Sequence, residues 1–308
     1  MSEMEANAGF SGGFGIKKET SANVAATPPT NFLEIESETF DEVRNFLDTQ
    51  GIDGTRSRSK HRSAPTTLDP KGGFVINGVK GGDLDLLIEL LLGNYGSGTG
   101  YLGDALPTFT TVVKKTPKYD VYAGCKMLSG IFESSQDAQA LKASFEALAM
   151  SLTEGTAPSF GTPTYVNEIP LTHVRGTFTV GSTAVNVQSS KLSIVNKIAD
   201  NIYRNSQTRL AVPEIGEREV SGELALDWNA ANYTALMTPW RSGTYAEYRA
   251  EYTNGAHVVT FVFPNCRFPS ERGKIGNKEL IAMPVKFEAR SSGPGQRDEV
   301  QIYVRDVV

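Results

Sequence analysis

Gly124-Cys125-Lys126-Met127-Leu128-Ser129 is echoed some 141 residues later by Asn265-Cys266-Arg267-Phe268-Pro269-Ser270. Each is a small or polar residue, a cysteine, a cation, an apolar residue, and a serine three beyond the cation. Phe145-Glu146-Ala147 follows the first cysteine by about twenty residues, and Phe287-Glu288-Ala289 follows the second at nearly the same distance. Short patterns that recur in one order at one spacing read as a single structural unit written twice. Cys125 and Cys266, and Phe145 and Phe287, are then repeat-equivalent core positions.

Each unit also carries one short helix ahead of its cysteine. Gly81-Gly82-Asp83 opens a run with Leu84, Leu87, Ile88 and Leu91 on one face, the spacing of an amphipathic helix, and Gly93 ends it. Asp227-Trp228-Asn229 opens a second run with Tyr233, Leu236, Met237 and Trp240, with an interruption expected near Pro239.

The rest alternates as strands do. Phe32-Leu33-Glu34-Ile35-Glu36 leads into a long polar stretch, and the chain returns through Gly72-Gly73-Phe74-Val75-Ile76. A glycine-rich loop is expected from Gly93 to Gly103. In the second unit, strands flank Gly181-Ser182, and Asn254-Gly255 is expected to form a type I′ hairpin turn. The organisation expected is an extended arm over residues 1–30, a first unit over 31–154 with a long loop at 44–70, and a second unit over 155–308. A linker of about 153–170 joins the units. The fold class is mainly β, with two tandem units and one short helix beside each.

With 308 residues the chain has room for two units of about 150 residues, each able to bury its own core. Thirty basic and thirty-five acidic residues leave a net charge of −5, too acidic for an electrostatic trap for nucleic acid. Such a balance fits a surface past which DNA slides better than one that captures it. The longest apolar stretch, Leu84 to Leu92, is far shorter than a membrane span. No secretory signal opens the chain at Met1-Ser2-Glu3-Met4-Glu5, and the two cysteines read as small buried hydrophobes of a reducing cytoplasm rather than a disulfide.

Catalytic and metal signatures are missing. His61, His173 and His257 stand far apart, without a second ligand at metal spacing. No nucleophile elbow occurs. Gly98-Thr99-Gly100-Tyr101-Leu102-Gly103 has the spacing of a dinucleotide loop but follows a helix and leads to a strand, the reverse of the binding context. Its glycines serve tight turns or close approach. No cofactor, metal or catalytic residue is assigned. The densest charge cluster, Arg56, Arg58, Lys60, His61 and Arg62, sits in the long loop. It reads as a solvated loop, a nucleic-acid contact, or an anchor for an acidic partner surface. Single exposed ion pairs give about 0–1 kcal/mol, but repetition around a ring adds them up.

With the duplicated β units, the Arg56-Ser57-Arg58-Ser59 loop, Gly124-Cys125-Lys126, and Gly276-Asn277-Lys278-Glu279-Leu280-Ile281 running on to Phe287-Glu288-Ala289, the chain resembles the tail tube proteins of long, non-contractile-tailed bacteriophages. Gly15-Ile16-Lys17-Lys18-Glu19-Thr20, the Thr27-Pro28 linker and the strand at Phe32 are similar too; Ser21-Ala22-Asn23 departs from the pattern where an aromatic-Gly-Thr is common. The resemblance implies sandwich or barrel-like tube domains whose inner sheets surround a lumen, while loops and arms bridge stacked rings. It implies a virion protein, assembled in the host cytoplasm, with itself, a tape-measure protein and tail-tip or terminator proteins as partners. Double-stranded DNA passes through without tight binding, and no membrane is involved. Two units per chain then imply trimeric rings with pseudo-sixfold symmetry, stacked through Arg56, Arg58, Lys60, His61 and Arg62. A terminator-like or secretion-system ring protein is the nearest alternative. A carbohydrate-binding or receptor-binding sandwich would want clustered loop aromatics, whereas Tyr245, Tyr248 and Tyr252 run along a strand.

Overall fold

Alternating residues pair into strands along most of the chain. A computed structural model describes residues 12–51, 57–58, 60–116, 118–268 and 282–307. The first half contains β1 (Gly13–Lys18), β2 (Asn31–Phe32), β3 (Ser37–Glu38), β4 (Asp41–Asp48) and β5 (Ser63–Asn77), then α1 (Leu84–Leu92). It continues with β6 (Gly93–Gly96), β7 (Thr99–Leu102), β8 (Phe109–Lys115), β9 (Lys118–Ser135), β10 (Lys142–Leu148), β11 (Ser151–Gly155) and the single turn α2 (Ala157–Phe160). The second half contains β12 (Gly176–Val180), β13 (Thr183–Ala184), β14 (Val187–Val195), β15 (Glu219–Asp227), α3 (Ala230–Ser242), β16 (Ala246–Thr253), β17 (His257–Arg267), β18 (Ala282–Ala289) and β19 (Gln301–Asp306). The fold is mainly β.

The long strand β9 belongs to two layers. Its first part lies between β8 and β11 in an outer sheet that continues through β1 to β2. Its last part pairs with β10 on one side and with β14 on the other. An antiparallel run results, β4–β5–β10–β9–β14–β15–β18, that crosses from the first half to the second without a break. β17 repeats the arrangement of β9: most of it pairs with β16 and β19, and its end, Cys266–Arg267, meets β18.

The repeated motif marks a repeated irregularity. Tyr122 to Cys125 of β9 faces the shorter segment Thr111 to Phe109 of β8, and Phe263 to Cys266 of β17 faces Tyr248 to Ala246 of β16. Each is a bulge with one extra residue on the long strand, a device that bends a strand and raises its twist. Each cysteine is fully buried, and its thiol donates to the carbonyl three residues back, Tyr122 or Phe263, at 3.4 Å in both cases. The bulge lets one strand leave the outer layer and enter the inner one.

Burial follows the alternation. Ser190, Leu192 and Ile194 of β14 and Val220, Leu224 and Leu226 of β15 point inward, while Lys191, Glu219 and Glu223 face solvent. A half-buried sheet requires this pattern. The core does not divide in two as expected. Ring centroids link Phe14 to Phe74 (4.6 Å), Phe74 to Phe145 (5.1 Å), Phe145 to Phe132 (5.7 Å) and Phe132 to Phe261 (4.9 Å), passing from one half to the other. β19, the last strand, returns to pair with β7 of the first half. Phe287 packs at the other end, against Tyr248, Phe263 and Phe268.

Four local expectations change. The extended arm is in part a core strand: β1 pairs with β8, and Phe14 and Ile16 are fully buried; residues 1–11 lie outside the described residues. The loop at 44–70 is instead a long hairpin, because Arg44–Asp48 and Ser63–Leu68 pair along it. The glycine-rich stretch after α1 is likewise a hairpin, β6–β7, turned at Ser97 and Gly98 with positive φ. Asn254 does not have the positive φ of a type I′ turn; its side chain instead accepts from the backbone N–H groups of Ala256 and His257, at 2.9 and 2.7 Å.

Both expected helices form. In α1, Leu84, Leu87, Ile88 and Leu91 are fully buried, as are Leu90 and Leu92, and Gly93 closes the helix at φ +102°. α3 opens on Asn229, whose side chain accepts from the Asn232 N–H at 2.8 Å, and it runs through Pro239 to Ser242 instead of stopping.

Candidate assembly interface

The β4–β5 hairpin protrudes, and its residues show it. Nearly every β4 residue is exposed, including Val43, Phe46 and Leu47, which are 47, 60 and 55% exposed. A monomeric protein seldom leaves a run of large apolar groups on an unpaired edge strand, since such an edge invites pairing with another chain. The basic cluster lies at the far end. Arg58, Lys60 and His61 are exposed, whereas Arg62 is half-buried and donates to the carbonyl of Gly51 within its own hairpin. Arg56 falls outside the described residues.

The base of the hairpin is held by a residue that the sequence did not single out. The segment between β14 and β15, residues 196–218, crosses onto the first half and inserts Arg209, which is 3% exposed. Its guanidinium donates to the carbonyls of Pro70 (2.7 Å), Ala149 (2.8 Å) and Asp200 (2.8 Å), and it pairs with the Asp69 carboxylate. The Tyr203 hydroxyl donates to the same carboxylate at 3.2 Å, and the Leu68 N–H donates to the Gln207 carbonyl at 2.8 Å. Arginine alone among side chains has enough donors in a planar fork for this set.

The solvent face of the inner run carries a second feature legible only in register. Lys142 lies opposite Glu133, Glu133 opposite Lys191, Lys191 opposite Glu223, and Glu223 opposite Lys286, on five neighbouring strands. Two of the resulting contacts are close ion pairs, Glu133–Lys191 at 2.7 Å and Glu223–Lys286 at 3.0 Å, and Lys142 pairs instead with Glu36 of the neighbouring segment at 2.7 Å. The row borders a shallow hollow of about 680 Å³ in the sheet. Opposite charges directly across strands stabilise each other modestly. Here they also leave the face nearly neutral.

Two of the three histidines, His173 and His257, do structural work. Nε2 of His173 lies 2.9 Å from the Val187 carbonyl and must donate there, so Nδ1 accepts from the Ser134 hydroxyl at 2.9 Å, and Ser134 in turn accepts from Tyr252 at 2.9 Å. His257 sits between Glu168 (3.0 Å) and Asp306 (3.1 Å), joining the linker to the last strand. Among the described residues, no group of three or more His, Cys, Asp or Glu is placed to hold a metal ion. No helix among them is long and apolar enough to cross a membrane.

A continuous antiparallel sheet across two similar halves, an exposed hairpin with apolar and basic groups, and a charge-paired face define a mainly β structural protein. The chain belongs to the phage tail tube protein family, whose family model matches residues 9–289. It is therefore a structural tail tube protein and a virion component, of a family that is not an enzyme family and that assembles with itself into a tube. Comparison with curated proteins finds no match.

Proposed function

We propose that three copies of this chain close into a ring of six similar units, that rings stack into the tail tube, and that genome DNA passes through the lumen on its way into the host. The observation that carries this reading is the seam between β9 and β14, where Ser129–Ser135 and Val195–Ser189 join the sheets of the two halves edge to edge. A head-to-tail joint that repeats by rotation closes a ring, and this chain already contains one such joint. Its outer edge at β3 and β4 remains open for the next copy.

The solvent face of the inner run lines the passage in this reading. Its alternating lysines and carboxylates favour sliding over capture, because few free cations remain to displace the counterions of the duplex. The hairpin projects beyond the sheet, with Arg58 near its end for the carboxylates of the next ring. A tape-measure protein in the lumen and terminator or tip proteins at the ends are the further partners, and assembly takes place in the host cytoplasm.

Negative-stain microscopy and native mass measurement of purified protein test the proposal. Long tubes whose rings each contain three chains are expected. Rings of six full-length chains would overturn the count, and a monomer under all conditions would overturn assembly without other tail proteins.

A further inference from the structure

The clamp at Arg209 has a counterpart position elsewhere in the molecule. Phe74 pairs with Phe145 in the first half, and Gly222 pairs with Phe287 in the second. Aligning the halves on these pairs places Asp69 on Glu217, Pro70 on Arg218 and Ala149 on Ser291. The same offset places Arg209 on His61, inside the short turn Lys60–Arg62 at the end of the β4–β5 hairpin.

The two halves differ in what occupies these places. In the first half, Asp69 and the Pro70 and Ala149 carbonyls are filled by Arg209 of the second half. In the second half, Glu217, Arg218 and Ser291 instead border an open cleft of about 520 Å³. Glu217 is exposed and has no ion pair among the described residues. Glu299, in the same cleft, has a buried Oε2 without a hydrogen-bond partner among the described residues. The acidic acceptor is present in both halves, but the cations of the second cleft are turned elsewhere: Arg218 donates to Asn196 and Gly103, Lys197 pairs with Glu219, Arg290 with Glu288 and Arg297 with Asp104.

We propose that the cleft at Glu217 receives the Lys60–His61 turn of the adjacent copy within the same ring, reproducing between chains the Arg209–Asp69 clamp found within one. This rests on the ring reading above and names the groups of its lateral joint. The relation between the halves supplies the geometry: if the second half's loop crosses onto the first half, the first half's hairpin crosses onto the second half of the neighbour. The charges agree, since Lys60 and His61 are exposed and an uncommitted carboxylate awaits them. Arg62 is half-buried and its guanidinium points back to Gly51 within its own hairpin, so Lys60 and His61 are the exposed donors of the turn. Arg58, nearer the tip, is left to contact the next ring.

The test uses four forms of the full chain: wild type, Glu217→Lys, the double change Lys60→Glu with His61→Glu, and the swap that combines all three substitutions. Thermal melts followed by circular dichroism report folding; sedimentation velocity and negative stain report rings. Glu217→Lys is expected to melt as wild type and to sediment as a protomer, at least tenfold depleted in rings at matched concentration. The swap is expected to regain rings. The double change on the turn, Lys60→Glu with His61→Glu, is expected to match the loss, which guards against a folding defect near the cleft. Ring formation by Glu217→Lys at the wild-type level, or a natively folded swap that stays a protomer, overturns the lateral contact and leaves the ring reading standing. A wild type that forms no ring removes both.

Discussion

Asp83 is 6% exposed and offers its carboxyl no side-chain cap bond at the start of α1. Burial pushes its pKa up to about 6; Lys80 opposes the shift, and Glu168 and Glu34 add to it. The helix dipole would favour a charge here, but desolvation outweighs it. A carboxyl whose folded-state pKa is raised has its full stabilising share below pH 4 and loses it as pH rises through about 6. Asp83→Asn should therefore leave stability unchanged at pH 4 and raise it at pH 7 by about 1–3 kcal/mol. Melts at the two pH values decide it; an equal effect at both would refute the assignment. Burial likewise pushes the Cys125 and Cys266 thiols up to about 12. Thiolate is the reactive form, so a maleimide at pH 8 should label neither cysteine in folded protein and both after unfolding. Arg209 gives the sharpest test, because its loss strands the carbonyls of Pro70, Ala149 and Asp200 and leaves the half-buried Asp69 carboxylate to Lys71 and Tyr203: Arg209→Met should cost about 3–5 kcal/mol in urea titrations. A loss below 1 kcal/mol would show that water replaces it.

Among the elements, sheets register side chains that are distant in sequence, and this decides what could be read in advance. The helix stripe at Leu84, Leu87, Ile88 and Leu91 is local, and α1 forms where its spacing puts it. The motif around the two cysteines is also local, and each copy sits on the same bulge. Arg209 lay in a featureless polar segment, and its importance comes from Pro70 and Ala149, far off in sequence. The Lys142–Glu133–Lys191–Glu223–Lys286 row is hidden for the same reason, since apart from Glu133 and Lys142 on the neighbouring strands β9 and β10 its members are far apart in sequence. The stretch 44–70 reads as a loop because its few apolar residues, Phe46 and Leu47 among them, follow no regular alternation, which is how a strand that leaves the core looks. Gly222 shows the opposite constraint: a Cβ there would lie 2.3 Å from the Phe287 ring. Gly222→Ala should destabilise by about 1–3 kcal/mol through overpacking, measured by denaturant titration, whereas a neutral change would mean that the ring moves aside freely.

For the whole molecule, the balance of charge on the inner face can be altered without touching the core. Changing Glu133 and Glu223 together to Gln frees the lysines between them, and duplex retention should then appear at about 50 mM salt and fade by about 200 mM. Wild type should retain none under either condition, as read by filter binding. Retention by wild type at both salts would contradict a passage that lets DNA slide. The seam from β9 to β14 has a further consequence for how such an annulus grows. One junction in every pair is made as soon as the polypeptide folds, whatever the protein concentration, because covalent tethering replaces a collision with a local search. In the proposed ring, three junctions then remain to form between chains where six separate single-unit subunits would have six, and the tethered and untethered junctions are free to diverge in sequence. That freedom would give the proposed ring one fixed kind of junction and one adjustable kind.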